Sequence, residues 1–231
     1  MTHIANSHIQ YLNTMGIQVW IRRQLETSDP VCEPSVEKNI PDKEVVIPPV
    51  NWETLQEQVK TCTNCDLHKT RTQTVFGVGN RNADLLLIGE APGADEDMQG
   101  EPFVGRAGQL LNAMLYAIKL SREDIYIANV IKCRPPNNRN PNNDEMTCCN
   151  HFLQQQISLL KPKLIVATGR VSAQHLLDTT TPIGQLRGKQ FKYNNIPLIA
   201  TYHPAYLLRR PSEKRKSWQD LQFIINNLSK N

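Results

Sequence analysis

The chain has 231 residues, of which 39% are hydrophobic and 21% charged, a balance that fits one globular domain with additional polar segments. It has no apolar run of about 18 residues that would span a membrane, and its N-terminus lacks the basic start and apolar stretch of an export signal. We therefore expect a cytoplasmic protein with reduced cysteines, which favours metal binding or catalysis over a disulfide scaffold.

The net charge of +4 is unevenly distributed. Residues 187–216 carry eight basic side chains and one acidic one, a net +7 that leaves the rest of the chain near −3. Such a cluster fits a polyanionic ligand, because each phosphate contact releases counterions. A solvated basic surface is an equally weighted alternative.

The first 50 residues differ in composition from the rest of the chain. Residues 1–25 predict a short amphipathic segment, a candidate partner-binding peptide. Residues 26–50 contain five prolines, many charges and few large apolar groups, so we expect a disordered linker. The folded domain is expected at 51–231, beginning with a helix near Trp52.

From residue 84 onward, short apolar runs alternate with helical patterns. Strands are predicted at Leu85–Ile88, Ile125–Ala128, Leu164–Ala167 and Leu198–Ala200. Helices are predicted at 106–119, 143–160, 170–178 and 212–228. This alternation predicts an α/β fold, a three-layer α/β/α sandwich with a central, mostly parallel four-stranded sheet.

Polar residues follow three of the predicted strands, namely Glu90, Asn129 and His203. Because ligands of parallel sheets bind outside the carboxyl ends of the strands, we expect these side chains to share one crevice. The amide of Asn129 can accept and donate to a base edge, although a turn-capping role is equally compatible with the sequence. The GEAPG turn at 89–93 suits an anion cradle or, alternatively, an ordinary strand-to-helix turn.

Four cysteines frame this region: Cys62 and Cys65 form a C-x2-C pair, and Cys133 and Cys149 follow downstream. Four thiolates suit zinc or an iron–sulfur cluster, and unliganded buried thiols are a third alternative. The fifteen-residue gap before Cys149 departs from the two close pairs of most zinc sites.

Five ordered segments together resemble a known family: TCTNCDLHKTRT, LIGEAPGADEDMQGEPFVGRAGQLL, NVIKCRPPNNRNP, LIVATGR and TYHPAYLLR. Over about residues 60–228 they are similar to family 4 uracil-DNA glycosylases, the iron–sulfur members of their superfamily. The resemblance implies a monofunctional DNA-repair enzyme of base excision. Such an enzyme flips deoxyuridine out of single- or double-stranded DNA, hydrolyses its N-glycosidic bond, and leaves an abasic site.

The resemblance also implies which residues act. A [4Fe–4S] cluster would be held by Cys62, Cys65, Cys133 and Cys149, with Cys148 as a possible substitute for the last. Uracil would be bound by Glu90, Ala91, Pro92, Phe103, Asn129 and His203. Catalysis would fall to Glu90, His203, Asn129 and Glu96. DNA would be contacted by Arg134, Arg139, Tyr206, Leu207, Arg209 and Arg210.

Particular roles follow from that resemblance. Phe103 would stack on the flipped base, and His203 would donate a hydrogen bond to uracil O2 as negative charge develops there. The water-activating aspartate of family 1 enzymes lies in a DPYH motif that is absent here, so we expect Glu90, and next Glu96, in that role. Tyr206, Leu207 and Leu208 would fill the space that the base vacates.

Two other functions remain as alternatives. One is a noncatalytic iron–sulfur DNA-binding module, and the other is a metal-dependent phosphoester hydrolase that uses the acids at 95–97. Separately, residues 11–23 resemble the start of the psi subunit of the bacterial clamp loader. That short match predicts a bacterial enzyme that contacts the replication machinery, and a helix that packs on the catalytic domain is the alternative. We also expect a monomer.

Overall fold

The computed structural model describes residues 51–229. The amphipathic segment at 1–25, the linker at 26–50 and the predicted partner contact at 11–23 lie outside these residues. Within the described part, no helix has both the length and the apolar character needed to cross a membrane.

The described residues form six strands and eight α-helices. The strands are β1 (Val78–Gly79), β2 (Leu85–Gly89), β3 (Tyr126–Asn129), β4 (Leu164–Thr168), β5 (Gln190–Tyr193) and β6 (Ile196–Thr201). The helices are α1 (Trp52–Lys60), α2 (Ala94–Gln99), α3 (Arg106–Ala117), α4 (Asn143–Leu160), α5 (Arg170–Leu177), α6 (Ile183–Leu186), α7 (Pro204–Arg209) and α8 (Lys214–Leu228).

The strands form one sheet in the order β1-β3-β2-β4-β6-β5. The central four are parallel to one another, and the two edge strands pair antiparallel. The predicted α/β fold is confirmed, but the expected four strands are six. The edge strands escape prediction because β1 has two residues and β5 reads as a polar, half-exposed segment.

A tight hairpin adds β5 to the sheet. Its turn residues Asn194 and Asn195 both have positive φ, at 46° and 67°. Asparagine tolerates this region better than most residues, and the mirror-image turn it forms matches the twist of the flanking strands.

Both faces of the sheet are covered by helices, which explains the continuous apolar runs of its central strands. On one face, Leu86 and Ile88 of β2 join a core that includes Leu55 of α1 and Phe152 of α4. On the other, Leu85 and Leu87 pack in a core with α3 and α8 residues such as Leu111 and Leu221. The parallel register brings the carboxyl ends of β2, β3, β4 and β6 to one edge, where the connecting loops meet.

Candidate functional site

An open pocket of about 760 Å³ lies at this edge of the sheet. Most of the predicted site residues line it: Glu90, Ala91, Pro92, Glu96, Phe103, Asn129, Arg139, His203, Tyr206 and Arg209. Arg134, Leu207 and Arg210 are not part of its lining. The volume is in the range of small-molecule sites and exceeds what one nucleobase needs.

Asn129 ends β3 and is 2% exposed. Its Oδ1 is buried and has no hydrogen-bond partner among the described residues. It lies beside Gly89, where an added Cβ would come within 2.3 Å of Oδ1 and 2.8 Å of the Phe103 ring. Only glycine at 89 therefore lets the amide and the ring approach each other, and the amide keeps an unpaired acceptor at the pocket wall.

Phe103 is 6% exposed and has a φ of 56°, a left-handed conformation that is costly for an aromatic residue. Arg122 holds it there by donating to the carbonyl oxygens of Phe103 (3.0 Å) and Pro102 (2.7 Å). Gly108 makes room beneath, because a Cβ there would lie 1.7 Å from the Phe103 carbonyl oxygen. Sequence reasoning missed Arg122 and Gly108, and the G-x-x-G spacing at 105–108 was the available signal.

His203 precedes α7 and caps its first turn. Its Nδ1 accepts a hydrogen bond from the Ala205 backbone N–H at 3.1 Å, so the neutral ring carries its proton on Nε2. Burial, together with the nearby Arg209 charge, lowers the pKa of His203 to about 4. The ring stacks with Phe103 at a centroid separation of 5.4 Å, which brings the predicted stacker and electrophile together.

Glu90 follows β2 and is half-buried. Burial raises the pKa of its carboxyl group, and the positive charge of Arg170 opposes that rise. With the Asn140 amide oriented to satisfy both neighbours, its nitrogen lies 3.2 Å from Glu90 Oε1 and its oxygen 2.9 Å from Arg170 Nη2. Neither Asn140 nor Arg170 was among the residues that the sequence indicated.

The acids after the GEAPG turn serve the loop itself. Glu96 accepts hydrogen bonds from the backbone N–H groups of Gly93, Val104 and Gly105. Asp97 accepts from the Thr72 N–H through both carboxylate oxygens, at 3.0 and 3.1 Å. Among the described residues, no three His, Cys, Asp or Glu side chains are grouped so as to hold a single metal ion.

Helix α7 presents a mixed surface beside the pocket. Tyr206 packs on the Tyr202 ring with centroids 5.0 Å apart. Leu207, expected at the DNA, is 1% exposed and belongs to the core, whereas Leu208 is 37% exposed. The exposed apolar side chain of this helix is therefore Leu208.

Two further predicted DNA-contacting arginines have side-chain partners of their own. Arg139 forms a two-point ion pair with Glu145, at 2.9 and 2.6 Å, and Arg134 Nε donates to Asn138 Oδ1 at 2.7 Å. These contacts order the loop between Cys133 and α4.

Five free cysteines line a second, smaller cavity: Cys62, Cys65, Cys133, Cys148 and Cys149. Arg71 Nη1 donates to Cys133 Sγ at 3.0 Å, and the Lys132 N–H donates to Cys149 Sγ at 3.3 Å. Burial raises the pKa of both thiols, that of Cys149 to about 12. Two of these sulfurs thus face N–H donors of the kind that stabilise thiolates.

Lys132 lines the cysteine cavity and is 1% exposed. Its Nζ donates to the Asn129 backbone oxygen at 2.9 Å and to Gln156 Oε1 at 2.6 Å. Both partners are neutral, and burial lowers the pKa of Lys132 to about 8, a shift that nearby negative charge on Cys149 and Cys133 would oppose.

Comparison with known proteins gives a consistent family. The model of the Uracil DNA glycosylase superfamily matches residues 76–222. The chain is 45% identical over 175 residues to the type-4 uracil-DNA glycosylase of Archaeoglobus fulgidus, covering 72% of this chain and 88% of that protein. It is 42% identical to that of Pyrobaculum aerophilum (74% and 91% covered) and 44% identical to that of Thermotoga maritima (70% and 85% covered).

Proposed function

This chain belongs to the uracil-DNA glycosylase superfamily, and from that premise we propose that it is a DNA-repair hydrolase of N-glycosyl bonds. It removes uracil from DNA and leaves an abasic site. Type-4 enzymes that are 45% and 42% identical over 72% and 74% of this chain support the same substrate here.

The observation that carries the proposal is the unpaired, buried Oδ1 of Asn129. Uracil presents an N3–H donor and an O4 acceptor, which complement an amide oxygen and its neighbouring nitrogen. Cytosine presents an acceptor at N3 and a donor at its exocyclic amine. Binding cytosine would leave the buried amide facing like groups, and such sites reject the mismatched base strongly.

Two rings at the pocket suit the remaining surfaces of a pyrimidine. The Phe103 face offers a stacking platform, worth on the order of 1–3 kcal/mol per base. His203, with Nδ1 occupied by the Ala205 N–H, keeps Nε2–H as a donor for uracil O2. A neutral histidine suits this task, because its Nε2–H can donate a hydrogen bond that stabilises the developing uracil anion while the ring keeps its proton.

Glu90 is the carboxylate that we favour for water activation. Both carboxyl groups line the pocket, but Glu96 already accepts three backbone N–H groups, whereas burial raises the pKa of Glu90 and so increases its basicity. In the reaction the C1′–N1 bond breaks with its electron pair leaving on uracil N1. Water oxygen bonds to C1′, and its proton passes to Glu90 and then to solvent or the departing base.

DNA contacts follow from the surface around the pocket. Leu208 and Tyr206 are proposed to fill the gap left by the extruded nucleotide, with Arg209 and Arg210 contacting phosphates. Arg139 is paired with Glu145 but stays partly exposed beside the pocket. Its contact with a DNA phosphate would therefore depend on the order of the loop that carries it.

The cysteines fit an iron–sulfur cluster held by Cys62, Cys65, Cys133 and Cys149. Several soft ligands face one cavity, and N–H groups of Arg71 and Lys132 point at two of the sulfurs, as is common for cluster thiolates. The buried cation of Lys132, whose hydrogen bonds go to neutral oxygens, further favours thiolates nearby. A bound cluster would have a structural role and would hold the Cys133–Cys149 loop in place. Hydrolysis of the N-glycosidic bond transfers no electrons, so the reaction needs no redox centre.

The remaining predictions concern cellular context. We propose action in the cytoplasm as a monomer, and a replication-machinery contact through residues 11–23, which rests on the sequence similarity of that segment alone. A pull-down with residues 1–25 fused to a carrier tests the contact, and failure to retain any replication protein would end that idea.

The enzymatic proposal is tested with a uracil-containing oligonucleotide and a matched thymine-containing one, each incubated with full-length protein and then treated with alkali. We expect cleavage only at uracil, and free uracil in stoichiometric amount. Uncut strands with retained DNA binding would instead support the noncatalytic module. If both oligonucleotides are cleaved and a chelator stops that cleavage, the result would support the phosphoester hydrolase.

A further inference from the structure

Three side chains from separate loops meet at the rim of the pocket. Glu90 follows β2, Asn140 lies in the loop between β3 and α4, and Arg170 begins α5 after β4. Asn140 bridges the other two, with its nitrogen 3.2 Å from Glu90 Oε1 and its oxygen 2.9 Å from Arg170 Nη2. The contacts form a chain from an exposed cation, through a neutral amide, to a half-buried carboxylate.

The position of Asn140 is fixed by its neighbours. Its backbone oxygen accepts from Arg139 Nη1 at 3.0 Å, and Arg139 is in turn held by Glu145 of α4. Asn142, two residues on, caps α4 through a reciprocal pair of hydrogen bonds with Glu145. Because these contacts hold Asn140 in place, its amide loses little conformational entropy on bonding to Glu90 and Arg170. The bridge is therefore pre-organised.

Three other ionisable groups around the pocket are already engaged. Glu96 is occupied by backbone N–H groups, Arg139 by Glu145, and His203 is neutral with its Nδ1 bonded to the Ala205 N–H. Arg209 lies beside His203 on α7, and its charge contributes to the low pKa of that ring. Arg170 is therefore the cation best placed to act on Glu90.

We propose that Arg170 is a positioning residue that acts through Asn140 to hold the Glu90 carboxylate in the charged, water-accepting orientation. The proposal rests on Glu90 as the water-activating group. Arg170 reaches the reacting atoms only through another side chain. Its role differs from that of a phosphate contact because it concerns the state and direction of Glu90 and leaves DNA affinity unchanged.

The test measures single-turnover uracil excision against pH in full-length protein carrying Arg170→Gln, Arg170→Lys or Asn140→Ala. Without the guanidinium charge, burial of Glu90 is less opposed, so the acid limb of the rate profile moves to higher pH by about one unit. On that acid limb the rate of Arg170→Gln falls roughly tenfold for a shift of one unit, while the Kd for DNA stays within about twofold. Arg170→Lys keeps the positive charge, so the acid limb should stay close to its wild-type pH. Asn140→Ala, which removes the bridge, should lower the rate at every pH and shift the acid limb less than Arg170→Gln does.

Two further variants separate this proposal from the proposed function. Arg81→Gln is the control, because Arg81 forms an ion pair with Glu53 of α1. This variant is expected to match wild type in excision rate, pH profile and DNA affinity. Glu90→Gln is expected to lose the acid limb together with most activity. If Glu90→Gln stays active, the role of Glu90 is wrong and Arg170 loses its target. If Glu90→Gln is inactive but Arg170→Gln keeps the wild-type limb, or only weakens DNA binding in a salt-dependent way, the positioning role is overturned while uracil excision stands.

Discussion

Gly89 and Asn129 end neighbouring parallel strands in direct register, and a Cβ on Gly89 would lie 2.3 Å from Asn129 Oδ1. The same Cβ would lie 2.8 Å from the Phe103 ring. The missing side chain at 89 thus allows the base-reading amide and the stacking ring to share one wall of the pocket.

The first prediction is that Gly89→Ala inactivates the enzyme without unfolding it. The new methyl group must displace either the Asn129 amide or the Phe103 ring, and misplacement of about 1 Å costs roughly 100-fold in rate. Single-turnover excision measures the loss, and circular dichroism checks the fold. A Gly89→Ala enzyme with wild-type rate would contradict the packing argument.

Asn129→Leu is expected to separate stability from function. Leucine is similar in size and removes a buried acceptor that has no partner among the described residues, so the free energy of unfolding should rise by about 1 kcal/mol. Uracil excision should disappear, because the base then lacks its complement at N3. Urea denaturation and the alkali assay measure the two effects. A destabilised variant would indicate that the oxygen has a partner in the free enzyme.

His203 is expected to stay neutral far below its usual range, since burial and Arg209 lower its pKa to about 4. In the unfolded chain the ring binds a proton below about pH 6.5, while the folded ring does not. Stability linked to this group is therefore complete above pH 6.5 and falls, by about 1.4 kcal/mol per pH unit, as the pH drops toward 4.

Denaturation of wild type and His203→Gln at pH 7, 6 and 5 tests this linkage, with His68→Gln as a control for loss of a histidine. The wild type should lose more stability than His203→Gln over this range. Ring ¹⁵N shifts should show a neutral imidazole with its proton on Nε2 at pH 6. A charged ring at that pH would remove His203 as a neutral electrophile.

The parts of the site that the sequence predicted are those attached to regular elements. Glu90, Asn129 and His203 each follow a parallel strand, so the topology alone brings them to one edge. The missed residues act across loops. Nothing in the order of residues indicates that Arg170 meets Asn140, or that Arg122 holds the carbonyl of Phe103, because such contacts depend on how separate loops pack.

The same distinction explains the errors within elements. Alternation along the PAYLLR segment does not tell which leucine faces the core, and the structure buries Leu207 while exposing Leu208. The edge strand β5 was missed because its pairing depends on a hairpin turn of two asparagines with positive φ. Periodicity predicts a strand that is buried on both faces better than one at an edge.

The choice of the fourth cluster ligand is testable by paired substitutions. Cys149 is buried and accepts a hydrogen bond from the Lys132 N–H, whereas Cys148 is partly exposed in the same cavity. Cys149→Ser should therefore lose most of its iron and sulfide and its visible absorbance, and unfold at lower temperature. Cys148→Ser should retain all three. The reverse pattern would assign Cys148, and wild-type protein without iron or sulfide would reject the cluster.

The last prediction concerns how Phe103 is held. Arg122 donates to two carbonyl oxygens of a loop whose central residue carries a φ of 56°, a conformation that costs about 1–3 kcal/mol unless its surroundings fix it. Arg122→Gln should let that loop relax and lower the excision rate roughly tenfold. Arg122→Lys should recover only part of it, because one ammonium cannot reproduce the planar fork.

A double-mutant cycle identifies the route of this effect. If Arg122 acts by holding the stacking ring, Arg122→Gln has no further effect on rate once Phe103→Ala has removed that ring, so the double variant matches Phe103→Ala alone. Additive losses would mean that Arg122 serves the reaction by another path, such as a DNA contact. Melting temperatures of all variants distinguish either result from general destabilisation, since a ring that only fills the core would make stability and rate fall together.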